Sequence, residues 1–445
     1  MAVKVKLISL LDRWGWLLLL AASPFLLFPV PSRVWALLVV PLMFGARLAS
    51  RSNHDRRTPL DLSILLLAVM VLVSLYATYD IAVSLPKIAG MVLGVGVFYE
   101  TARYCQRSLA HLKKGVGLFL LLGSGFAGVA LLTTDWPRRL SLAVAILSRL
   151  PQRLFALPGA ERGVQHNEVA GTMLWISPLA ISLAAAWWAW GWKRKPAARG
   201  EWWSGVIATG AALLTTFVLI LAQSRGGWLS FGVALLVLLV LSGGRARNVG
   251  LVGGGVALAA LTALTWLIPA QMGEWIFGGV EQAAEVSSLE NLAGRLEIWS
   301  RAIYAIQDFP LTGVGMNVFR QIVPVLYPLF LISPTFDIAH AHNTWLQAAL
   351  DLGLPGLVAY LSMWIVVVAM LIQVLRSSPD WPLRMVAVGI LSCLGGYFTY
   401  GITDTVALGA RPGWLWWMLM ALAAATWKLT QAGQPMPSAA GGMSV

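Results

Sequence analysis

The sequence predicts an all-α polytopic membrane protein with about twelve transmembrane helices, and three observations lead there. Of its 445 residues, 58% are hydrophobic and only 11% charged, with a mean hydropathy of +0.75; a soluble fold of this length has no use for so much apolar surface. Apolar runs of membrane-crossing length recur along the whole chain. Basic residues cluster in every second loop, as they do when a chain threads back and forth through a bilayer.

The apolar runs lie near 14–31, 34–48, 59–78, 82–100, 115–133, 168–190, 203–222, 227–242, 249–269, 355–375, 384–402 and 412–427. Pro24, Pro86, Gly90 and Pro178 fall inside them, which membrane helices tolerate when neighbours satisfy the freed backbone groups. Lys87 is nearly the only charge in mid-span. The run beginning at Trp14 is followed by no small-residue cleavage site and continues into further spans, so it reads as a membrane segment and not as a removable signal peptide.

Topology follows from the loop charges. Lys4, Lys6 and Arg13 precede the first span. The second loop has Arg47, Arg51, Arg56 and Arg57, the fourth Arg103, Arg107, Lys113 and Lys114, and the sixth Lys193, Arg194, Lys195 and Arg199. The eighth has Arg245 and Arg247, the tenth Arg376 and Arg384. The positive-inside rule places these loops and both termini in the cytoplasm. The net charge of +13 then serves loop orientation and contact with anionic lipid, and it does not imply nucleic acid.

Two long segments remain for the opposite face, 134–167 and 270–354. The first holds Arg138, Arg139, Arg149, Arg153 and Arg162, and its SLAVAILSRLPQRLFAL stretch has the pattern of an amphipathic helix on the membrane surface. Lipid anchoring and substrate binding both account for those arginines. The second segment is too long to be an idle connection. Within it ENLAGRLEIWSRAIYAIQDFP has Leu292, Leu296, Trp299, Ile303 and Ile306 at helical spacing, and Pro310, Gly313 and Gly315 end it. A helical cap on a membrane bundle is expected. No internal repeat or second domain is evident, so 1–445 reads as one integral membrane domain with a disordered tail from 429.

Several function classes drop out. The two cysteines, Cys105 and Cys393, lie at or near spans and frame neither a disulfide scaffold nor a metal cluster. No GxxxxGK[ST] loop is present to hold a nucleotide, and no Gly-x-Ser-x-Gly elbow to hold a serine nucleophile. The outer segments have no Asp-x-Asp pair to clamp a diphosphate through a cation, and His340 and His342 alone make a poor zinc site. The 22 tryptophans suit interfacial belts better than a cofactor box.

What remains is a set of arginines and a histidine pair. The stretch 337–356, DIAHAHNTWLQAALDLGLPG, has His340 and His342 beside Asn343, two of only five histidines in the chain. A helical pattern follows and stops at Gly353 and Pro355, with Asn343 or Thr344 as N-cap. Arg225, in AQSRGGWLS between two spans, either faces a cavity or snorkels to the surface. Arg295, in GRLEIW, either faces a ligand or pairs with Glu297 or Glu290. His342 is either a helix-capping histidine or a chemical one. His166 at the start of QHNE, and Asp404 and Arg411 in the last loop, read as span caps or local ion pairs. Guanidinium forks grip phosphate and an imidazole moves a proton near neutral pH, so the set suits an anionic, lipid-linked substrate.

His342-Asn343, nine residues, then Gly353-Leu-Pro-Gly356 resembles the HN-x9-GxxG signature of the O-antigen ligase family. SRGGWLS, GRLEIW and the PLTGVG turn stand before it in the order and spacing of that family. The resemblance implies a GT-C-like membrane glycosyltransferase of the bacterial inner membrane. Such enzymes transfer O-antigen from undecaprenyl diphosphate to lipid A–core on the periplasmic face, without cofactor, nucleotide or metal. It further implies that Arg225 and Arg295 bind the diphosphate and that His342 is catalytic, either as proton acceptor or by gripping the diphosphate. His340, Asn343, Arg138, Arg139, Arg153, Arg162, His166 and Arg320 join them as expected binding residues. O-antigen polymerases and bacterial protein O-oligosaccharyltransferases share this core. The latter tend to have a longer C-terminal periplasmic part, so the ligase is the favoured expectation. Polar residues gathered on one face, and not at mid-span, disfavour a transporter.

Overall fold

A computed structural model describes residues 2–48, 57–134, 136, 163–191, 199–267, 292–333 and 336–433. The described residues are helical almost throughout: α1 (Ala2–Leu27), a 3-10 stretch (Pro31–Leu38), α2 (Val39–Leu48), α3 (Asp61–Ala77), α4 (Ile81–Cys105), α5 (Leu109–Thr133), α6 (His166–Met173), α7 (Ser177–Gly191) and α8 (Arg199–Leu221). After these come α9 (Arg225–Ser242), α10 (Gly244–Leu267), α11 (Leu292–Asp308), α12 (Phe319–Leu326), α13 (Thr344–Ser377), α14 (Trp381–Thr403) and α15 (Gly413–Ala432). The chain is an all-α polytopic membrane protein. Seven described segments are long and apolar enough to cross a membrane, and Trp14–Leu27, Pro31–Gly45 and Asp61–Ala77 are shorter apolar helices. Each apolar run read from the sequence is helical over most of its described residues.

One departure has a backbone cause. The run at 168–190 is broken between α6 and α7, where Trp175 and Ile176 donate to Thr172 and Met173, three residues back. Pro178 has no N–H to offer the Leu174 carbonyl, which is the bond a continuous helix would need there. At the other end, α15 continues to Ala432, so 429–432 are helical and not part of a disordered tail; residues 434–445 of the expected tail lie outside the described residues. The amphipathic stretch expected at 141–157 lies outside the described residues. The ends of its segment meet in a single bridge between Thr134 and Val164.

Small residues let the central helices approach closely. A Cβ on Gly94 of α4 would strike the Trp417 ring of α15, and one on Gly396 of α14 would strike Ala234 and the Ser230 carbonyl of α9. Small-on-large contact of this kind is how membrane helices pack when solvent drives nothing. The core at this junction is aromatic. Trp364 stacks on Tyr397 at 6.1 Å and lies 5.0 Å from Trp416, while Trp175 sits 5.1 Å from Tyr397. Trp175, Trp364, Trp416 and Trp417 are all buried, so part of the tryptophan content fills the bundle interior instead of forming belts. A second, smaller core joins Ile298, Ala302 and Ala305 of α11 to Phe319, Val323, Ile338, Ala341 and Leu350. This is the expected helical cap, and the candidate site lies where it meets the bundle.

Candidate active site

The cap is anchored by an exchange of backbone hydrogen bonds. In α13 the residue Gly353 has φ +70° and ψ 177°, outside helical space. Leu354 N–H donates to the Pro310 carbonyl (2.7 Å), and the Leu350 carbonyl accepts from Val314 N–H (2.8 Å). One intrahelical bond is thus replaced by two bonds to the turn after α11, leaving neither group orphaned. The two glycines at the crossing are required: a Cβ on Gly353 would lie 2.6 Å from the Leu311 carbonyl oxygen, and one on Gly313 (φ +67°) 2.6 Å from the Leu350 carbonyl oxygen. The helix therefore does not stop at Gly353 and Pro355, as the sequence implied, but kinks at Gly353 and continues, so the candidate span runs from Thr344 to Ser377 instead of starting at 355.

The exchange sets α11 against α13. Arg295 stands three residues before the buried Ile298, on the face that continues through Ala302 and Ala305, so its side chain points inward and not to water. Glu297, two residues on, faces elsewhere: its carboxylate accepts from Phe330 N–H (2.6 Å) and Leu331 N–H (3.0 Å) and pairs with Arg301 (3.7 Å). The partner of Arg295 is Asp404, with Nη2 3.8 Å from Oδ2. Its Nε and Nη1 are buried without a hydrogen-bond partner among the described residues, donors of the kind that buried sites complete with water, an ion or a ligand.

The histidine loop is fixed from both sides. Asn343 is the N-cap of α13, its Oδ1 accepting from Trp345 and Leu346 N–H at 3.0 Å each, and its Nδ2 donates to the Ile402 carbonyl at 3.1 Å. Thr344 Oγ1 donates to the Asp404 carbonyl (3.3 Å) and to Thr405 Oγ1 (3.0 Å). Between these ties His342 is held at φ +47°, a conformation that costs a non-glycine residue about 1–2 kcal/mol and persists only where the surroundings impose it. Its Nδ1 lies 3.1 Å from Asp404 Oδ1, so Nδ1–H donates to the carboxylate and Nε2 is the ring atom left to meet a substrate.

Asp404 therefore joins Arg295 to His342. Burial alone would raise its pKa, but the charge and hydrogen bond of His342, then Arg295, outweigh burial and hold the carboxyl well below the usual carboxylate range. His340 packs edge-on against His342 at 4.3 Å and accepts the His342 N–H on Nδ1 at 3.3 Å. Burial, and next the charge of His342, press its pKa well below the ordinary imidazole value. His340 is thus neutral with its proton on Nε2, a donor and not a cation.

Other expected residues gather around this centre to different degrees. Arg225 opens α9, half-buried, and a Cβ on the next residue, Gly226, would lie 2.6 Å from Thr403 Oγ1, next to Asp404 in the chain. His166 opens α6, whose Asn167 carbonyl accepts from Tyr400 Oη at 2.6 Å, four residues before Asp404. Arg320 pairs with Asp337 at 3.0 Å, at the entrance to the histidine loop. Arg138, Arg139, Arg153 and Arg162 lie outside the described residues. His340, His342 and Asp404 each present one ligand atom within 4.8 Å of the others, the third ligand that the sequence did not reveal. The Arg295 cation already faces that carboxylate, and the Nδ1 atoms of both histidines are engaged, so the cluster is better matched to an anion than to a divalent cation.

The fold and this cluster define a class: a multi-pass helical membrane protein whose Arg–Asp–His centre is held between a helical cap and the bundle. Residues 210–361 match the family model described as O-antigen ligase, and over that stretch the chain has an O-antigen ligase family domain. The match takes in Arg225, Arg295, His340, His342, Asn343 and Gly353, while Asp404 lies beyond it. No curated protein matches the chain. The family indicates ligase- or polymerase-type activity on O-antigen, that of a glycosyltransferase-like membrane enzyme.

Proposed function

We propose that the protein is an O-antigen ligase. It transfers polysaccharide from undecaprenyl diphosphate to a sugar hydroxyl of lipid A–core, on the periplasmic face of the bacterial inner membrane, with both termini cytoplasmic. The observation that supports this best is the line Arg295–Asp404–His342, which sets a guanidinium with unspent donors beside an imidazole with a free Nε2.

The chemistry follows from those groups. The acceptor hydroxyl attacks the anomeric carbon, His342 Nε2 takes its proton, and the bond to the diphosphate oxygen breaks. Base assistance of this kind contributes about 10²–10⁴ in rate. Asp404 orients the imidazole and stabilises the imidazolium that forms. Arg295 through Nε and Nη1, together with Arg225, meets the charge that grows on the leaving diphosphate, a role that fixed charge fills without a metal. Neutral His340 offers Nε2–H to a phosphate or sugar oxygen. In-line attack inverts the anomeric centre. Asn343 acts through its cap, and Arg320, His166 and the arginines of 134–167 extend the binding surface for donor and lipid.

The test is to incubate purified protein with the lipid-linked polysaccharide and lipid A–core, with EDTA and without nucleotide, and to resolve the products on a gel. Transfer to lipid A–core that is lost in His342→Ala and Arg295→Ala supports the ligase. Lengthening of the donor with no transfer identifies a polymerase using the same site. Loss of activity in EDTA, restored by a divalent cation, sinks the metal-free mechanism.

A further inference from the structure

We infer that Gln347 and Asp351 are positioning residues: a buried strut runs from helix α4 through them to the backbone beside His342 and holds the histidine loop in its strained geometry. The proposal rests on the reading of His342 as the proton acceptor.

The strut is continuous from the histidine loop to α4. Ala341 N–H, the amide just before His342, donates to Gln347 Oε1 at 2.8 Å. Gln347 Nε2 donates to Asp351 Oδ1 at 2.8 Å; the two side chains are four residues apart and share one face of α13. Asp351 Oδ2 pairs with Lys87 Nζ of α4 at 3.4 Å. Asp351 Oδ1 also accepts from Asn317 N–H at 3.2 Å, and Asn317 Nδ2 donates to the Val83 carbonyl of α4 at 3.0 Å. Ser84 Oγ, one residue on, donates to the Met316 carbonyl at 2.7 Å. Four separate stretches (α4, the 316–317 turn, the first turns of α13 and the histidine loop) are tied through two side chains.

Three features separate this from routine satisfaction of buried polar groups. Gln347 and Asp351 are almost fully buried, at 1% and 0% exposure, where an aliphatic pair would pack without desolvation. The strut ends on a backbone amide, so it fixes chain path and not merely a side chain. That amide belongs to the residue preceding His342, whose φ of +47° must be imposed from outside. The cap of Asn343 holds the far side of His342; Gln347 holds the near side.

The experiment compares Gln347→Met, Asp351→Leu and the double variant Lys87→Met with Asp351→Asn, in full-length protein. The readouts are kcat and donor KM in the transfer assay, the thermal midpoint, and hydrogen exchange at the Ala341 amide. Gln347→Met is expected to lower kcat about 10²-fold, the scale of a small misplacement of a catalytic group, with donor KM unchanged and Ala341 exchange accelerated. Asp351→Leu is expected to behave alike. The double variant keeps an acceptor oxygen for Gln347 and Asn317 while removing both charges, and it is expected to recover most of the rate lost in Asp351→Leu. Unchanged kcat in the folded fraction of Gln347→Met overturns the proposal, as does a kcat loss matched by loss of folded protein. If His342→Ala proves as active as the parent, the functional reading fails and the positioning role with it, while exchange at Ala341 still reports whether the strut exists.

Discussion

Asp404 lies 3.1 Å from His342 and sits 62 residues away from it in sequence, at the point where α14 ends and the chain turns. The carboxylate accepts from His342 Nδ1–H with one oxygen and faces Arg295 with the other, so one side chain sets both the tautomer of His342 and the place of the Arg295 cation.

Replacing that carboxylate tests the first role. Asp404→Asn keeps the shape but can present its amide N–H to Nδ1, which favours the wrong tautomer. A loss of about 10²–10⁴ in kcat is expected, comparable with His342→Gln, with donor binding retained in both. Single-turnover transfer with a separate donor-binding measurement decides it; equal loss of binding and rate makes His342 a diphosphate ligand.

Arg295→Lys keeps the charge and the apolar stem but loses the fork. Because Nε and Nη1 are the unspent donors, lysine cannot replace them both. A fall of about 10²–10³ in kcat/KM is expected for a lost group of this kind, measured over a donor titration. Near-parent kinetics of Arg295→Lys would leave only a point charge at this position.

The crossing of Gly313 and Gly353 has a stability signature. Gly353→Ala meets both the positive φ and the Leu311 carbonyl, and a destabilisation of about 1–3 kcal/mol is expected. The thermal midpoint in detergent should drop accordingly. Gly125→Ala, in α5 with nothing within 4 Å of its added Cβ, should leave the midpoint unchanged or raise it.

His340 makes stability depend on pH. Its folded pKa is lowered, so the unfolded chain binds the proton first, and the contribution of His340 is present above about pH 6.5 and lost as pH falls through the folded value. Asp404 has the same sign, but its window opens only below about pH 4. Melting scans should therefore show the midpoint falling between about pH 7 and 5, with a flatter profile in His340→Gln. An unchanged slope in that variant would remove His340 as the cause.

The all-α membrane fold was legible because the length and apolarity of each run are set by the bilayer, one segment at a time. The helix of the cap, its stop at Pro310 and the Asn343 cap were equally local and equally readable. Asp404 was not, since nothing near Gly401–Val406 distinguishes a span cap from a partner of a histidine in a different element; that it is the sole acidic residue between α14 and α15 is the one signal available. Arg295 shows the same limit. Spacing offered Glu297 as its partner, yet the two lie on different faces of α11, and the charge that answers Arg295 arrives from α14. Tryptophan content pointed to interfaces, whereas Trp175, Trp364, Trp416 and Trp417 fill the interior, a choice that composition alone does not contain.

The bond exchange at Gly353 also bears on the order in which the chain is made. Residues 310–314 leave the ribosome before 350–354, so the segment that receives the Leu354 amide and supplies the Val314 amide is already synthesised when the bent helix emerges. A helix with this break entering the membrane first would expose two polar backbone groups to lipid, each costing several kcal/mol. Placing the turn upstream makes the break safe to synthesise, and it predicts that a circular permutant presenting α13 ahead of α11 would insert poorly although every native contact remained possible.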